Sequence, residues 1–460
     1  MGSQPRVVPW HHSLMRLSLL MGWGCLAAFA QGPASQPFSV PPNDAPELAA
    51  VGKFAVGVRT LDLVHRGQPD VLNFSAEKGI PAYDRPLKIE LWYPATLAAG
   101  QKAGTVYESA MVGRAPAPRS PAGFKIAGLA TRDAAPVTGE KFPLVIVSHG
   151  YPGSRTFMTY LGENIASKGY VVAAIDHTDS VFGAVRGFPS TLLNRSADQL
   201  FTIEELSARS KRAGDVLSGL VDETRVAIIG YSMGGYGALA SSGAPYSKKS
   251  AAATMVPGKA MEPWTAGHPQ FDARRPAGLK AVVAIAPWGA QPPVNSWDAE
   301  GMAGIKIPSL FIVGDQDDVS GYEQGVKRAY DWAVNSERCL LVYENARHNT
   351  GGNPPPPDMV LPFVTRQSFE EPVWRKDRIT AINQHFVTAF LDLHLKGDQS
   401  RRAYLRVPVK RSSEAVWPGG PGEARGPEFG TGDGASEKYW KGFQKRWALG
   451  LQMSCVDPAR

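Results

Sequence analysis

Five short apolar runs without polar alternation constrain this chain more than any other feature: Leu144 to Val147, Val171 to Ile175, Val226 to Ile229, Ala281 to Ile285 and Leu310 to Val313. A strand with one face in water alternates, so uninterrupted runs of this length predict strands covered on both faces, as in a mainly parallel sheet. Helical stretches separate most of them. The order is therefore βαβα, and the fold class is α/β with helices flanking a central sheet. Two earlier segments read as strands: Phe54 to Val64, and an alternating stretch through Leu87, Ile89, Leu91 and Tyr93 that stops at Pro94. Ile379, Ile382, Phe386, Phe390 and Leu393 mark the apolar face of a long helix that ends at Gly397.

The ends of the chain read differently. Arg6 and Arg16 precede the apolar stretch Leu17 to Phe29 and the small-residue site Ala28-Phe29-Ala30, the pattern of a signal peptide cleaved after Ala30. That stretch is short for a bilayer span, and no other segment is long and apolar enough for one. Cys25, behind Gly22-Trp23-Gly24, lacks the leucine of a lipoprotein box. The expectation is a secreted or periplasmic protein with residues 1–30 removed and residues 31–50 as a linker or laid-down arm. The α/β domain follows over 51–400, and an extension over 401–460 packs on it. Within that extension the Gly- and Pro-rich stretch from Arg411 to Ser436 forms a surface excursion, and Tyr439, Trp440, Phe443 and Trp447 dock. The formal charge of +7 falls by two with Arg6 and Arg16, to about +5, and no dense basic run accompanies it, so nucleic acid is not an expected partner. Cys339 and Cys455 remain after cleavage, either as a disulfide or as two lone thiols.

Gly230-Tyr231-Ser232-Met233-Gly234-Gly235 follows one apolar run and opens a helix of small residues. A serine hydroxyl lifted clear at a strand-to-helix turn needs a strained backbone, and glycines two residues to either side relieve the crowding. Ser232 is thus the candidate nucleophile, with the Met233 N–H at the helix N-terminus as a candidate oxyanion donor. A base and an acid must follow. Gly314-Asp315-Gln316-Asp317-Asp318 closes another strand, and Asp317 is the candidate acid, with Asp315 and Asp318 as neighbours that could be mistaken for it. His348 lies in the loop after the strand-like Cys339 to Tyr343 and is the candidate base. His385 and His394 fall within the long helix, where packing roles are commoner. His149, in Ser148-His149-Gly150-Tyr151, is expected to shape the loop that offers the Tyr151 N–H as second oxyanion donor. His177, at another strand end, either lines the site or is a hydrogen-bonded structural residue. Residues 243–278 are a cap-like insertion after the elbow helix, and Pro354 to Pro357 are a stiff segment that could wall the pocket. No metal motif, phosphate loop or dinucleotide fingerprint is present, so no cofactor is expected.

With these residues assembled, the chain resembles the α/β-hydrolase superfamily. Within it, the chain is similar to the group joining bacterial dienelactone-hydrolase-like proteins, platelet-activating-factor acetylhydrolases and cutinases, over roughly Phe54 to Lys396. Phe142 to Tyr151 resembles the oxyanion strand and loop of that group, and Leu161 to Asp176 is similar to cutinase sequences. Ala286-Pro287-Trp288 matches a context in which polyester-hydrolysing cutinases place a tryptophan beside the substrate, so the resemblance implies substrate contacts at Trp288 and Tyr151. The acetylhydrolases carry their catalytic aspartate at the position of Ala286, a departure that moves the acid to Asp317. The implied activity is hydrolysis of short to medium acyl or aryl esters through an acyl-enzyme. A phospholipid or polyester hydrolase and an inactive binding scaffold are the alternatives, and the oligomeric state is unknown.

Overall fold

A computed structural model describes residues 36–111, 122–355, 362–416 and 438–459. Its centre is an eleven-stranded sheet. Nine of its strands are longer than two residues: β1 (Ala55–Pro69), β2 (Ala82–Thr96), β5 (Phe142–Ser148), β6 (Val171–Asp176), β7 (Val221–Tyr231), β8 (Leu279–Ile285), β9 (Ser309–Gly314), β10 (Arg338–Tyr343) and β11 (Leu451–Val456). Between β2 and β5 a separate hairpin pairs β3 (Thr105–Met111) with β4 (Ala122–Gly128). The long strands lie in the order β11-β10-β9-β8-β7-β5-β6-β2-β1, parallel from β6 to β10 and antiparallel at both ends. Every residue of β5, β6 and β9 is buried, which is why their sequences carry no polar alternation.

Helices cover both faces. The apolar side chains divide into two clusters, one on each side of the sheet. α2 (Phe188–Ser210) and α3 (Met233–Ser241) pack on one face, and α1 (Thr159–Ser167) and α4 (Lys376–Leu395) on the other. Because β6 follows β5 on one side while β7 returns to the other, the chain reverses its winding between β5 and β7. The C-terminal ends of those two strands open a crevice, the usual place for a ligand in such a sheet.

Several details depart from the sequence reading. β2 continues past Pro94 to Thr96. Its ladder to β6 ends at Trp92, so the missing proline N–H breaks no sheet bond on that side. The hairpin β3–β4 and the terminal strand β11 were not read as strands. β11 pairs with β10 in a register that sets Cys455 opposite Cys339, and the two cysteines form a disulfide. Tyr439, Trp440 and Phe443 are buried, but Trp447 stays 45% exposed and does not dock. The arm places buried Ser39 and Ala49 against α1 and α4, with Ser39 Oγ donating to Glu163 and the Ala49 carbonyl accepting from Asn164. The signal-peptide segment, Pro356, Pro357 and most of the Arg411 to Ser436 stretch lie outside the described residues. No helix among those described is long and apolar enough to cross a membrane.

Candidate active site

Ser232 stands between β7 and α3 with φ 53° and ψ −114°, a strained backbone for a residue with a side chain. The two glycines have different reasons. A Cβ on Gly230 would lie 2.2 Å from the Gly234 carbonyl oxygen, the mutual crowding read from sequence. One on Gly234 would lie 2.0 Å from the Ser148 carbonyl oxygen, so this glycine is required against the end of β5. The turn is held from outside by Ser232 N–H donating to Ile285 O and Trp288 N–H donating to Ser232 O, at 2.9 and 3.0 Å.

The structure brings Ser232, His348 and Asp317 together from the ends of β7, β10 and β9. His348 Nε2 is 3.0 Å from Ser232 Oγ, and its Nδ1 is 2.9 and 3.0 Å from the two Asp317 oxygens. All three residues are buried to within 6 to 7% exposure. Burial alone would raise the Asp317 carboxyl, but the His348 ring and the N–H groups of Val319 and Ser320 hold it below the usual carboxylate range. The neighbouring acids are engaged elsewhere: Asp315 accepts from Asn345 N–H, and Asp318 pairs with Arg347.

Around Ser232 two aromatic groups converge. Phe157 stacks on Tyr231 with centroids 5.6 Å apart and touches Phe182 and Phe369; Tyr151 and Trp288 both meet Phe188 edge-on. Tyr151, Trp288, Phe157, Phe182 and Phe188 are only partly buried and so present ring surface outward. The Tyr151 N–H follows the His149-Gly150 turn, and Met233 opens α3, where first-turn amides have no partner within the helix. The insertion 243–278 makes its described contacts elsewhere, with Tyr246 stacked on Tyr236 and Gly258 against Phe74 and Ile80.

His177 requires a correction. It does not line the site: it is fully buried, with Nε2 2.8 Å from Ser148 Oγ and Nδ1 2.8 Å from Asp198. Both nitrogens are engaged, and none is left for a ligand. Arg85 clamps Asp198 with two bonds, and Arg195 donates to the His149 carbonyl at 2.6 Å. Burial drives the rings of His149 and His177 well below the ordinary imidazole value, which favours their neutral forms. This network fixes the loop that carries Tyr151. A second support was invisible in sequence. The Glu371 carboxylate accepts the N–H groups of Arg347 and Asn349 at 2.5 and 2.6 Å, bracketing His348 from both sides. Glu371 lies in irregular chain with no motif around it. Phe182 and Phe369, in turns, carry no more local signal, and Phe188 opens α2 without a motif of its own.

A mostly parallel sheet with helices on both faces, with Ser232 on a strained turn after β7 and Asp317 and His348 in the loops after β9 and β10, is the arrangement of the α/β-hydrolase fold. A family model described as PET hydrolase-like matches residues 134–268. The chain is 26% identical over 214 residues to cutinase est1 of Thermobifida alba, covering 46% of this chain and 55% of that protein. It is 24% identical over 214 residues to cutinase 1 of Thermobifida cellulosilytica, covering 46% and 63%. To the platelet-activating factor acetylhydrolase of Bos taurus it is 29% identical over 138 residues, 21% of this chain and 31% of that protein. The chain thus spans about half the length of the cutinase relatives it matches. The ferulic acid esterase from Streptomyces cinnamoneus aligns over 77% of this chain and 94% of its own at 22% identity, with a TM-score of 0.46.

Proposed function

We propose that the protein is an exported serine hydrolase of carboxylic esters with short to medium acyl or aryl groups. In this reading Ser232 Oγ attacks the ester carbonyl while His348 Nε2 takes its proton and then delivers it to the leaving alkoxide. Asp317 holds the imidazole in the tautomer with the proton on Nδ1 and stabilises the imidazolium that forms. The N–H groups of Tyr151 and Met233 receive the oxyanion. Water, activated by His348, then attacks the acyl-enzyme, expels Ser232 and releases the acid. The observation that carries the reading is the unbroken path of contacts from Ser232 through His348 to Asp317, none longer than 3.0 Å. Trp288 and Tyr151 are read as the substrate's apolar contacts, and the names of the cutinase relatives support an ester as the substrate class. The basic, apolar, small-residue pattern of residues 1–30 supports export.

A polyester is the second reading, favoured by the PET hydrolase-like description of the matching family model. The test is the specificity constant on p-nitrophenyl esters from acetyl to dodecanoyl, alongside release of soluble acid from a polyester film, with Ser232→Ala as the blank. A short-chain maximum that vanishes in the variant supports the proposal, whereas Ser232-dependent film hydrolysis with rising rates on long chains supports the second reading. A folded protein with no Ser232-dependent turnover and no labelling by a fluorophosphonate would make the chain a binding scaffold.

A further inference from the structure

A cavity of about 340 Å³ lies along α2. That volume suits a small-molecule pocket. Its floor is one helical face, since Asn194, Ala197, Phe201 and Glu204 follow one another at spacings of three and four. His65, near the end of β1, stacks flat on Phe201 with centroids 4.2 Å apart. The opposite wall comes from the insertion, where the Arg274 guanidinium lies 4.7 Å over the Trp264 ring. Asn194 sits six residues along α2 from Phe188, about 9 Å of helix axis away from the aromatic wall near Ser232. None of the residues named near Ser232 lines this cavity.

Two buried polar atoms here lack a partner, and a partly buried guanidinium beside them is weakly engaged. Asn194 is 1% exposed and its amide nitrogen donates twice to Ser190, which fixes the orientation of the amide, yet Oδ1 has no partner. His65 Nδ1 is buried and equally without one. Arg274 makes one long hydrogen bond, 3.4 Å to Gln270, and no ion pair with any described residue. An acceptor buried without a donor costs about 1–3 kcal/mol, and such groups in a native protein call for a missing partner. The demands are complementary: an anion for Arg274, a hydrogen-bond donor for Asn194, and a flat apolar body to lie along Leu193, Leu200 and the aromatic walls.

We propose that this cavity binds a small hydroxylated aromatic carboxylate, with its carboxylate on Arg274 and its hydroxyl donating to Asn194 Oδ1. Glu204 is exposed at the rim and disfavours an anion on its own side, which orients the carboxylate toward Arg274. The pocket is formed jointly by α2, β1 and residues of the 243–278 insertion, which gives that insertion a function apart from Ser232. The proposal does not depend on the ester-hydrolase reading.

The probes are 4-hydroxybenzoate, benzoate and tyramine, titrated calorimetrically into the full Ser232→Ala chain. The expected result is one saturable site for 4-hydroxybenzoate, weakened at least about tenfold by Arg274→Met, the loss expected for a charged hydrogen bond. Asn194→Leu should abolish the preference for 4-hydroxybenzoate over benzoate. Ala197→Phe fills the floor without touching a polar group and should remove binding; it serves in place of Asn194→Leu if that variant fails to fold. Absence of saturable binding, an affinity indifferent to Arg274→Met, or tighter binding of tyramine would each overturn the proposal. So would loss of 4-hydroxybenzoate binding when wild-type Ser232 is blocked by a fluorophosphonate, because the ligand would then occupy the other site.

Discussion

Gly234→Ala tests the candidate site at its tightest joint. The new Cβ would lie 2.0 Å from Ser148 O, 2.6 Å from Ser148 C and 2.9 Å from His149 O. Carbon atoms pack near 3.5 to 4.0 Å, so β5 and its loop must recede by about 1 Å or more. They cannot do so freely. Ser148 is held in register with Gly230 and Ile175, and the His149 carbonyl is pinned by Arg195. The shift therefore passes to Tyr151, two residues on, whose N–H is the proposed oxyanion donor. A misplacement of about 1 Å costs roughly 10²-fold in rate, or about 2.7 kcal/mol of barrier. The overpacking should also cost about 1–3 kcal/mol of stability. Gly162→Ala is the control, because its Cβ would strike the Trp92 ring at 2.8 Å in α1, remote from the loop. Turnover of p-nitrophenyl acetate and urea midpoints should be measured for both. The reasoning predicts that both variants lose stability but only Gly234→Ala loses turnover. A folded Gly234→Ala enzyme with kcat within about threefold of wild type would refute it.

Other expectations follow from the same structure. The folded-state carboxyl of Asp317 is depressed, so its ionisation contributes stability above the unfolded value of about 3.9 and that contribution is lost as pH falls through the lower folded value. The stability gap between wild type and Asp317→Asn should therefore close in acid, as read by urea denaturation at pH 7 and pH 3. His385 is buried and accepts from Leu48 N–H, and burial lowers it to about 3. The unfolded chain then binds its proton first, so stability should fall from about pH 6.5 downward by on the order of 1 kcal/mol per unit, a slope that His385→Phe removes. Cys339 and Cys455 are separated by 116 residues. Replacing Cys455 with serine should cost about 2–5 kcal/mol, measured by thermal unfolding with and without reductant. Trp288→Ala should raise KM for aryl esters more than for acetyl esters, because it removes ring surface beside Ser232 without touching the reacting groups.

The parallel core was legible because each of its strands is buried on both faces and so reads as a continuous run. The positions of Ser232, Asp317 and His348 were legible for a related reason, since each lies in a short loop directly after such a run. Pro94 misled because a proline ends a strand only where its absent N–H would have joined a ladder, and that depends on how far β6 reaches. β11 shows the period-two pattern of Leu451, Met453 and Cys455, but over six residues at the chain terminus that pattern is hard to distinguish from loop. His177 looked available because it follows a strand, as His348 does. Both rings meet a carboxylate through Nδ1; what separates them is the other nitrogen, which in His177 meets Ser148 inside the fold, with Asp198 brought from α2 and Arg85 from β2 behind it, and in His348 meets Ser232 on the elbow. Such long-range pairings leave no local signal. Glu371, reaching back across more than twenty residues to two main-chain amides, is the same case.

The terminal strand has a further consequence. β10 is apolar from Cys339 to Tyr343 and buried, and β11 is its neighbour on the outer side of the sheet. Without β11, β10 would present an open row of backbone donors and acceptors beside an apolar surface, a template on which a second chain could pair. The Cys339–Cys455 bond ties that cover in place, while Arg411 and Lys410 border its outer edge through a bridge to Gln452 and a hydrogen bond from Met453 N–H. In an oxidising compartment the bond therefore protects against aggregation between copies as well as against unfolding. In a reducing one, the first symptom of its loss would be concentration-dependent precipitation, ahead of any change at Ser232.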